Sequence, residues 1–239
     1  MVVRRRLTKW DSIQTLLRAG LNVGTVIDVG VQRDSPDLRQ LFSSVPHILF
    51  EPVLEYHEDI HRAYAGVNYK LEPVALSDRY GPFLLREVRA DADGVVSHVS
   101  PAEGHEASLR TVQRKTLDGY VDETSPAKPY LIKIDVDGHE TEILKGARRA
   151  LFDASCVIVE TTLHHLPERL RLAEVAGLAL WDIVDMTYYD GCLYQCDLVF
   201  IPDRADGLIR RLDPRMRIAF EAFDPAVWYS LHASAEDDV

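Results

Sequence analysis

The sequence predicts an α/β fold, a doubly wound and mostly parallel sheet with an antiparallel pair at its C-terminal edge. Three observations predict it. Short runs of branched apolar residues alternate with helical segments along most of the chain, the pattern that right-handed crossovers turn into a parallel sheet. The runs Thr25-Val26-Ile27-Asp28-Val29 and Tyr130-Leu131-Ile132-Lys133-Ile134 are apolar almost throughout, as strands covered on both faces are. The last two runs are separated only by a short turn at Asp190-Gly191, which makes them antiparallel neighbours.

Each element has its own signal. After the basic start Met1-Val2-Val3-Arg4-Arg5-Arg6, Trp10, Ile13, Leu16 and Leu17 recur at helical spacing and Gly20 stands where a helix ends, so residues 1–20 read as an N-terminal helix. Thr25 to Gly30 is the first strand, Pro36 to Ser44 a helix with proline in its first turn, and His47 to Phe50 the second strand, closed by Glu51-Pro52. A helix over Leu54 to Tyr64 and a strand from Tyr69 to Leu76 follow. Residues 80–117 break the rhythm: Gly81, Pro82, Asp91, Asp93, Gly94, Pro101 and Gly104 punctuate short Val- and Leu-containing runs, read as an irregular insertion of hairpin strands and loops. The alternation resumes with the strand Tyr130 to Val136 and one helix carrying Ile143, Leu144, Ala147 and Leu151 on a single face. A strand from Cys156 to Glu160, a helix from Pro167 to Ala176 and the closing strands Ala179 to Met186 and Leu193 to Ile201 complete a domain over residues 21–202. Residues 203–239 form a helical tail, whose Phe220, Phe223 and Trp228 can pack back onto the sheet or support a homo-oligomer.

Composition narrows the function classes. The 239 residues carry 27 basic and 38 acidic side chains, a net charge of −11, with 46% hydrophobic and 27% charged residues, an ordinary globular balance. The acidic excess excludes a general nucleic-acid binder, which needs clustered Lys and Arg against phosphates. No run approaches the roughly 18 apolar residues of a membrane span. The basic start lacks the apolar core of a secretory signal, and Cys156, Cys192 and Cys196 cannot make a disulfide framework. The expected location is cytoplasmic.

In a doubly wound sheet, ligands bind outside the carboxyl ends of the strands, so the residues that follow each strand are the candidate site. Asp28-Val29-Gly30 ends the first strand, where a glycine lets backbone approach a nucleotide-like ligand; Val31-Gln32-Arg33-Asp34-Ser35 adds no further glycine, so the dinucleotide fingerprint is absent. Glu51 ends the second strand 21 residues after Gly30, the placement of an acidic residue that accepts hydrogen bonds from ribose hydroxyls. Ala75-Leu76-Ser77-Asp78 ends the third and offers an adenine-side wall, although Ser-Asp is also ordinary turn chemistry. The densest set is Lys133-Ile134-Asp135-Val136-Asp137-Gly138-His139-Glu140. A turn and a helix cap account for Asp137 and Gly138, whereas Lys133 and Asp135 within an apolar strand need a partner or a task. Glu160 follows the next strand. Together Asp135, Asp137, His139 and Glu160 make a carboxylate-and-imidazole cluster that can act as general base or, through Asp135 and Asp137, hold a divalent cation.

The ordered set Val26-Ile27-Asp28-Val29-Gly30, Phe50-Glu51-Pro52, Ala75-Leu76-Ser77-Asp78 and Thr116-Leu117-Asp118 resembles the FkbM family of S-adenosylmethionine-dependent methyltransferases. The strongest match is Leu131 to Glu140, running on through Ile143-Leu144-Lys145-Gly146-Ala147, and the resemblance spans residues 21–202. The family shows Ile-Lys-Ile-Asp-Val-Glu-Gly-His-Glu there, so Asp137 shortens the usual Glu; its first motif continues Gly-Ala-Asn-x-Gly where this chain has Gly30-Val31-Gln32-Arg33-Asp34. The resemblance implies a class I, Rossmann-like methyltransferase fold, S-adenosylmethionine as cofactor, and O-methylation of a hydroxyl on a small molecule or glycan, sugar or polyketide-like. It also implies Asp28 and Gly30 on the methionine side, Glu51 on the ribose, Ala75, Leu76, Ser77 and Asp78 near the adenine, and Asp135 with its neighbours facing the reacting methyl. His139 or Asp135 is then the expected base, Asp137 and Glu160 orient the acceptor or bind a divalent cation, and Lys133 pairs with a carboxylate. The altered first motif keeps a degenerate, non-catalytic partner protein as a second reading. A nucleotide-dependent oxidoreductase fits less well, for want of the glycine fingerprint.

Overall fold

The computed structural model describes residues 6–88, 98–101 and 109–203; the tail expected after residue 203 lies outside them. The chain runs α1 (Lys9–Arg18), β1 (Thr25–Val29), α2 (Pro36–Leu41), β2 (His47–Phe50), a 3-10 turn (Leu54–Tyr56), α3 (His57–Ala63) and β3 (Tyr69–Glu72). It continues through β4 (Ala75–Leu76), β5 (Gly81–Val88), β6 (His98–Pro101), β7 (Leu109–Lys115), α4 (Leu117–Thr124), β8 (Tyr130–Ile134), α5 (Glu140–Lys145) and α6 (Arg148–Phe152). The last elements are β9 (Ala154–Thr162), α7 (Leu166–Val175), β10 (Leu178–Tyr189) and β11 (Cys192–Pro202).

Seven strands form the main sheet in the order β10-β11-β9-β8-β1-β2-β3. The strands are parallel except β11, which returns antiparallel between β9 and β10. The expected antiparallel pair is therefore present, but its first strand, β10, is the sheet edge and runs with the others. Strand order reverses between β1 and β8, where Asp28 stands opposite Lys133 and Val29 opposite Ile134. Both faces are covered. Ile27, Val29, Ile132, Ile134, Val157 and Val159 pack with Ile143 and Leu144 of α5, Leu151 of α6 and Ala147 between the two helices. Val26, Leu131, Cys156, Ile158 and Val199 pack with Ile13 and Leu16 of α1 and Leu38 of α2. Each such buried branched side chain contributes roughly 1.5–3 kcal/mol, which is why these strands read as unbroken apolar runs. By the period of two, Asp28 and Lys133 share the α1 and α2 side.

Two expected elements are divided. The strand from Tyr69 to Leu76 is β3 and β4, because Pro73 has no N–H to extend a ladder, and β4 leaves for a second sheet of order β4-β7-β5-β6. In that sheet β5 and β7 pair antiparallel with Phe83 opposite Val112. The single helix expected over Ile143 to Leu151 is α5 and α6, broken at Gly146. A Cβ on Gly146 would stand 2.1 Å from the Ser77 carbonyl oxygen, so glycine admits the chain leaving β4. At the N-terminus the helix is shorter than expected, opening at Thr8, whose hydroxyl accepts the Asp11 N–H at 3.2 Å. Among the described residues, no helix is long and apolar enough to cross a membrane.

Candidate active site

A cavity of about 440 Å³ opens at the carboxyl ends of β1, β2 and β8, at the switch point where doubly wound sheets bind ligands. Its volume lies in the range of small-molecule sites, roughly 300–1,000 Å³.

One end is built around Glu51. Its Oε2 accepts the Gln32 N–H and its Oε1 the Val53 N–H, each at 2.8 Å. Gln32 stands at φ 54, a left-handed conformation that costs a non-glycine residue on the order of 1–3 kcal/mol, and this turn of the backbone is what aims its N–H at Glu51. Burial pushes the Glu51 carboxyl up to about 7 against those two donors. Gly30, just before, is a glycine for a reason internal to the sheet: a Cβ there would meet the Asp135 carbonyl oxygen at 1.9 Å.

The wall beside it is apolar, made by Ala75 and Leu76 of β4 with Phe83 and Leu85 of β5. The His139 ring lies 4.7 Å from that of Phe83 and its Nε2 is 3.0 Å from Ser77 Oγ. Ser77 donates its own proton to Asp78 at 3.1 Å, so its lone pair accepts the Nε2–H of His139. Burial lowers the His139 pKa, keeping the ring neutral. With Nε2 carrying a proton to Ser77, His139 supports this wall, and its Nδ1 lies 3.6 Å from Glu142 Oε2.

The other end is a row of charges. Lys133 is buried, 3.4 Å from Asp28 Oδ1 and 3.2 Å from Asp135 Oδ2. Burial disfavours its ammonium, but Asp28 and Asp135 outweigh that and raise its pKa. Burial likewise pushes Asp135 up, and the Lys133 and Lys9 ammoniums overcome it to hold Asp135 below the ordinary carboxylate value. Glu160 goes the other way. Burial, then the Asp135 charge, push it up to about 8. Glu160 Oε1 accepts from Gln195 Nε2 at 2.7 Å, and the protonated Glu160 donates to Asp135. An anion and a neutral acid thus share one hydrogen bond on the cavity wall.

Of the expected site residues, Gly30, Glu51, Ala75, Leu76, Asp135, Asp137, His139 and Glu160 line the cavity. Asp28, Ser77 and Asp78 do not. Asp28 is fully buried beneath Lys133, and Ser77 and Asp78 stand behind His139. The divalent cation expected at Asp135 and Asp137 is not supported: among the described residues no group of three or more His, Cys, Asp or Glu side chains is placed to hold one. Asp135 instead faces an ammonium, and Asp137 is exposed on a turn at φ 53.

Four residues given no role in the sequence analysis complete the site. Glu140 is buried, accepts the Val136 and Gly138 N–H groups at 3.2 and 3.0 Å, and receives Arg169 Nη2 at 2.7 Å. This pair holds the turn that carries Asp137. Lys9 and Gln195 line the cavity beside Glu160.

The Methyltransferase FkbM domain family matches residues 19–188 of this chain. The chain belongs to the FkbM methyltransferase family. Hexuronic acid methyltransferase AglP of Haloferax volcanii is 42% identical over 50 residues, which span 21% of this chain and 21% of that protein. Methyltransferase FkbM from Methylobacillus flagellatus KT aligns at 16% identity and a TM-score of 0.46, covering 74% of this chain and 43% of that one. The fibrillarin pre-rRNA processing protein of Methanococcus jannaschii aligns at 11% identity and a TM-score of 0.46, covering 82% and 75%. The chain thus spans about a fifth of the curated relative, and under half of the first of these structures.

Proposed function

We propose that this FkbM methyltransferase methylates a hydroxyl of a sugar, with the cofactor between Glu51 and Asp135 and the acceptor at Glu160. The observation that carries this reading is the half-buried Asp135–Glu160 pair on the cavity wall, in which Glu160 is pushed up to about 8. A sugar is favoured over a polyketide by the short match to a hexuronic acid methyltransferase.

The cofactor end fits its ligand. An ionised carboxylate offers about four acceptor positions; Gln32 and Val53 take two at Glu51, which leaves two for the vicinal hydroxyls of a ribose. The apolar wall of Ala75, Leu76, Phe83 and Leu85 suits an adenine face, and the excess of carboxylates at the far end suits a sulfonium. S-adenosylmethionine, when bound, supplies an electrophilic methyl on a neutral-leaving sulfur. The chain then has two tasks. It must hold the acceptor oxygen in line, an effect that can contribute roughly 7–11 kcal/mol, and it must take the hydroxyl proton. Ionised Glu160 takes that proton on its carboxylate, while Gln195 holds the carboxylate in place and Asp135 receives the hydrogen bond once Glu160 is neutral.

Glu51 provides a pH test of the cofactor end. Below about 7 its carboxyl is neutral; above, it is the anion that ribose hydroxyls donate to. Affinity for S-adenosylhomocysteine is therefore expected to rise between pH 6 and 8. Glu51→Gln is expected to lose that dependence and to bind about 10–100-fold more weakly, the effect of one charged hydrogen-bonding site at about 1.5–3 kcal/mol. Calorimetry at the two pH values measures both, and a pH-independent wild type excludes Glu51 as the ribose ligand.

The acceptor is tested with methyl-labelled S-adenosylmethionine and methyl glycosides of glucose and glucuronic acid. Transfer of label to a glycoside in an alkali-stable ether is the expected outcome. Label released by mild alkali identifies an ester and overturns the hydroxyl reading.

A further inference from the structure

Helix α1 lies ahead of the segment 19–188 that matches the family, yet its first residue reaches the cavity. Lys9 is held by the neighbouring strands from several directions. Its N–H stands 3.3 Å from both carboxylate oxygens of Asp185 on β10. Its ammonium pairs closely with Asp197 on β11 and lies 3.7 Å from Asp185 Oδ2. One turn on, Ser12 Oγ donates to Asp182 Oδ2 at 2.7 Å. Asp197 is the register partner of Glu160 across β9 and β11, so the Lys9–Asp197 pair stands beside the acid pair.

We propose that Lys9 is a positioning residue of the acceptor end: its ammonium, delivered by the N-terminal helix, neutralises Asp197 beside Glu160 and so limits the negative charge against which Glu160 must ionise. The proposal rests on the reading of this cavity end as the place of proton removal.

The charge inventory around Glu160 shows why one cation matters. Asp135 faces it from just past the end of β8, Asp137 from the following turn, Glu140 from α5 and Asp197 from β11, all adding negative charge. Gln195 of β11 contributes only a neutral donor. Lys133, the other buried ammonium of this end, is already held by Asp28 and Asp135. Lys9 answers Asp197 and also reaches Asp135 through its field. Without it, Asp197 would be a buried carboxylate next to Glu160, and both would hold their protons more tightly.

The test needs no acceptor. In protein labelled with ¹³C at the carboxyls of Asp and Glu, the Glu160 signal is assigned by its disappearance in Glu160→Gln and titrated in wild type, Lys9→Met, Lys9→Arg and Ser12→Ala. The midpoint is expected to rise by about one pH unit in Lys9→Met, the field of one charge several ångströms away at an intermediate dielectric. It is expected to stay put in Lys9→Arg, and in Ser12→Ala, which loosens α1 without changing charge. An unmoved midpoint in folded Lys9→Met overturns the proposal, as does an equal shift in Ser12→Ala. If Lys9→Met fails to fold, Lys9→Gln carries the same test; loss of fold in both makes Lys9 a structural anchor and overturns its positioning role. Failure here with a wild-type Glu160 midpoint near 8 leaves the proposed function standing, whereas a wild-type midpoint in the ordinary carboxylate range removes the function's acid–base basis as well.

Discussion

Glu160→Gln is expected to lower methyl transfer by ~10²–10⁴-fold, the usual contribution of a positioned base. The substitution is a narrow one. Glutamine has the shape of protonated Glu160: its oxygen can accept from Gln195 as Glu160 Oε1 does at 2.7 Å, and its amide can donate to Asp135. Only the capacity to ionise is removed. Affinity for S-adenosylhomocysteine is therefore expected to remain within about twofold, which places the loss in the chemical step rather than in binding. Single-turnover transfer together with calorimetry separates the two. A variant that turns over at the wild-type rate removes Glu160 from proton transfer and returns the role to Asp135.

The second large effect is on stability. Lys133→Met is expected to cost about 3–5 kcal/mol, the range for removing one partner of a buried ion pair, out of a total that for domains of this kind is roughly 5–15 kcal/mol. Asp28 is fully buried, its Oδ1 faces Lys133, and its Oδ2 has no hydrogen-bond partner among the described residues. Removing the ammonium leaves that carboxylate in the sheet without a cation. The double variant Lys133→Met with Asp28→Asn is expected to regain part of the loss, because the stranded charge is gone. Urea denaturation of the two single variants and the double one measures the coupling. A single variant within about 1 kcal/mol of wild type would contradict this account of the pair.

Much of this molecule was legible before its structure. The continuous apolar runs at β1 and β8 mark strands covered on both faces, and the two charges that interrupt them, Asp28 and Lys133, proved to be each other's partners at 3.4 Å. Polar residues at strand ends marked the cavity, and eight of the expected site residues line it. What was hidden depends on distant packing. The break at Gly146 exists because the Ser77 backbone arrives there, from a strand nearly seventy residues earlier in the chain. Lys9 reaches Asp197 across almost the whole chain, and nothing in an amphipathic helix start announces that. Arg169 did carry a signal: Leu166, Leu170 and Ala173 place it in the apolar stripe of α7, where a cation implies a buried acid, and Glu140 is that acid. The contact of His139 with Ser77 was hidden for a similar reason, since Ser77 comes from a different element.

The most direct test of the proposed chemistry is the pH dependence of single-turnover methyl transfer by the wild-type protein, with S-adenosylmethionine saturating at every pH. Glu160 ionises at about 8, and the ionised form takes the acceptor proton, so the rate is expected to rise tenfold per pH unit below about 8 and to level above it. A rate that stays flat from pH 6 to 9, or that is set by a group in the ordinary carboxylate range, would contradict proton removal by Glu160.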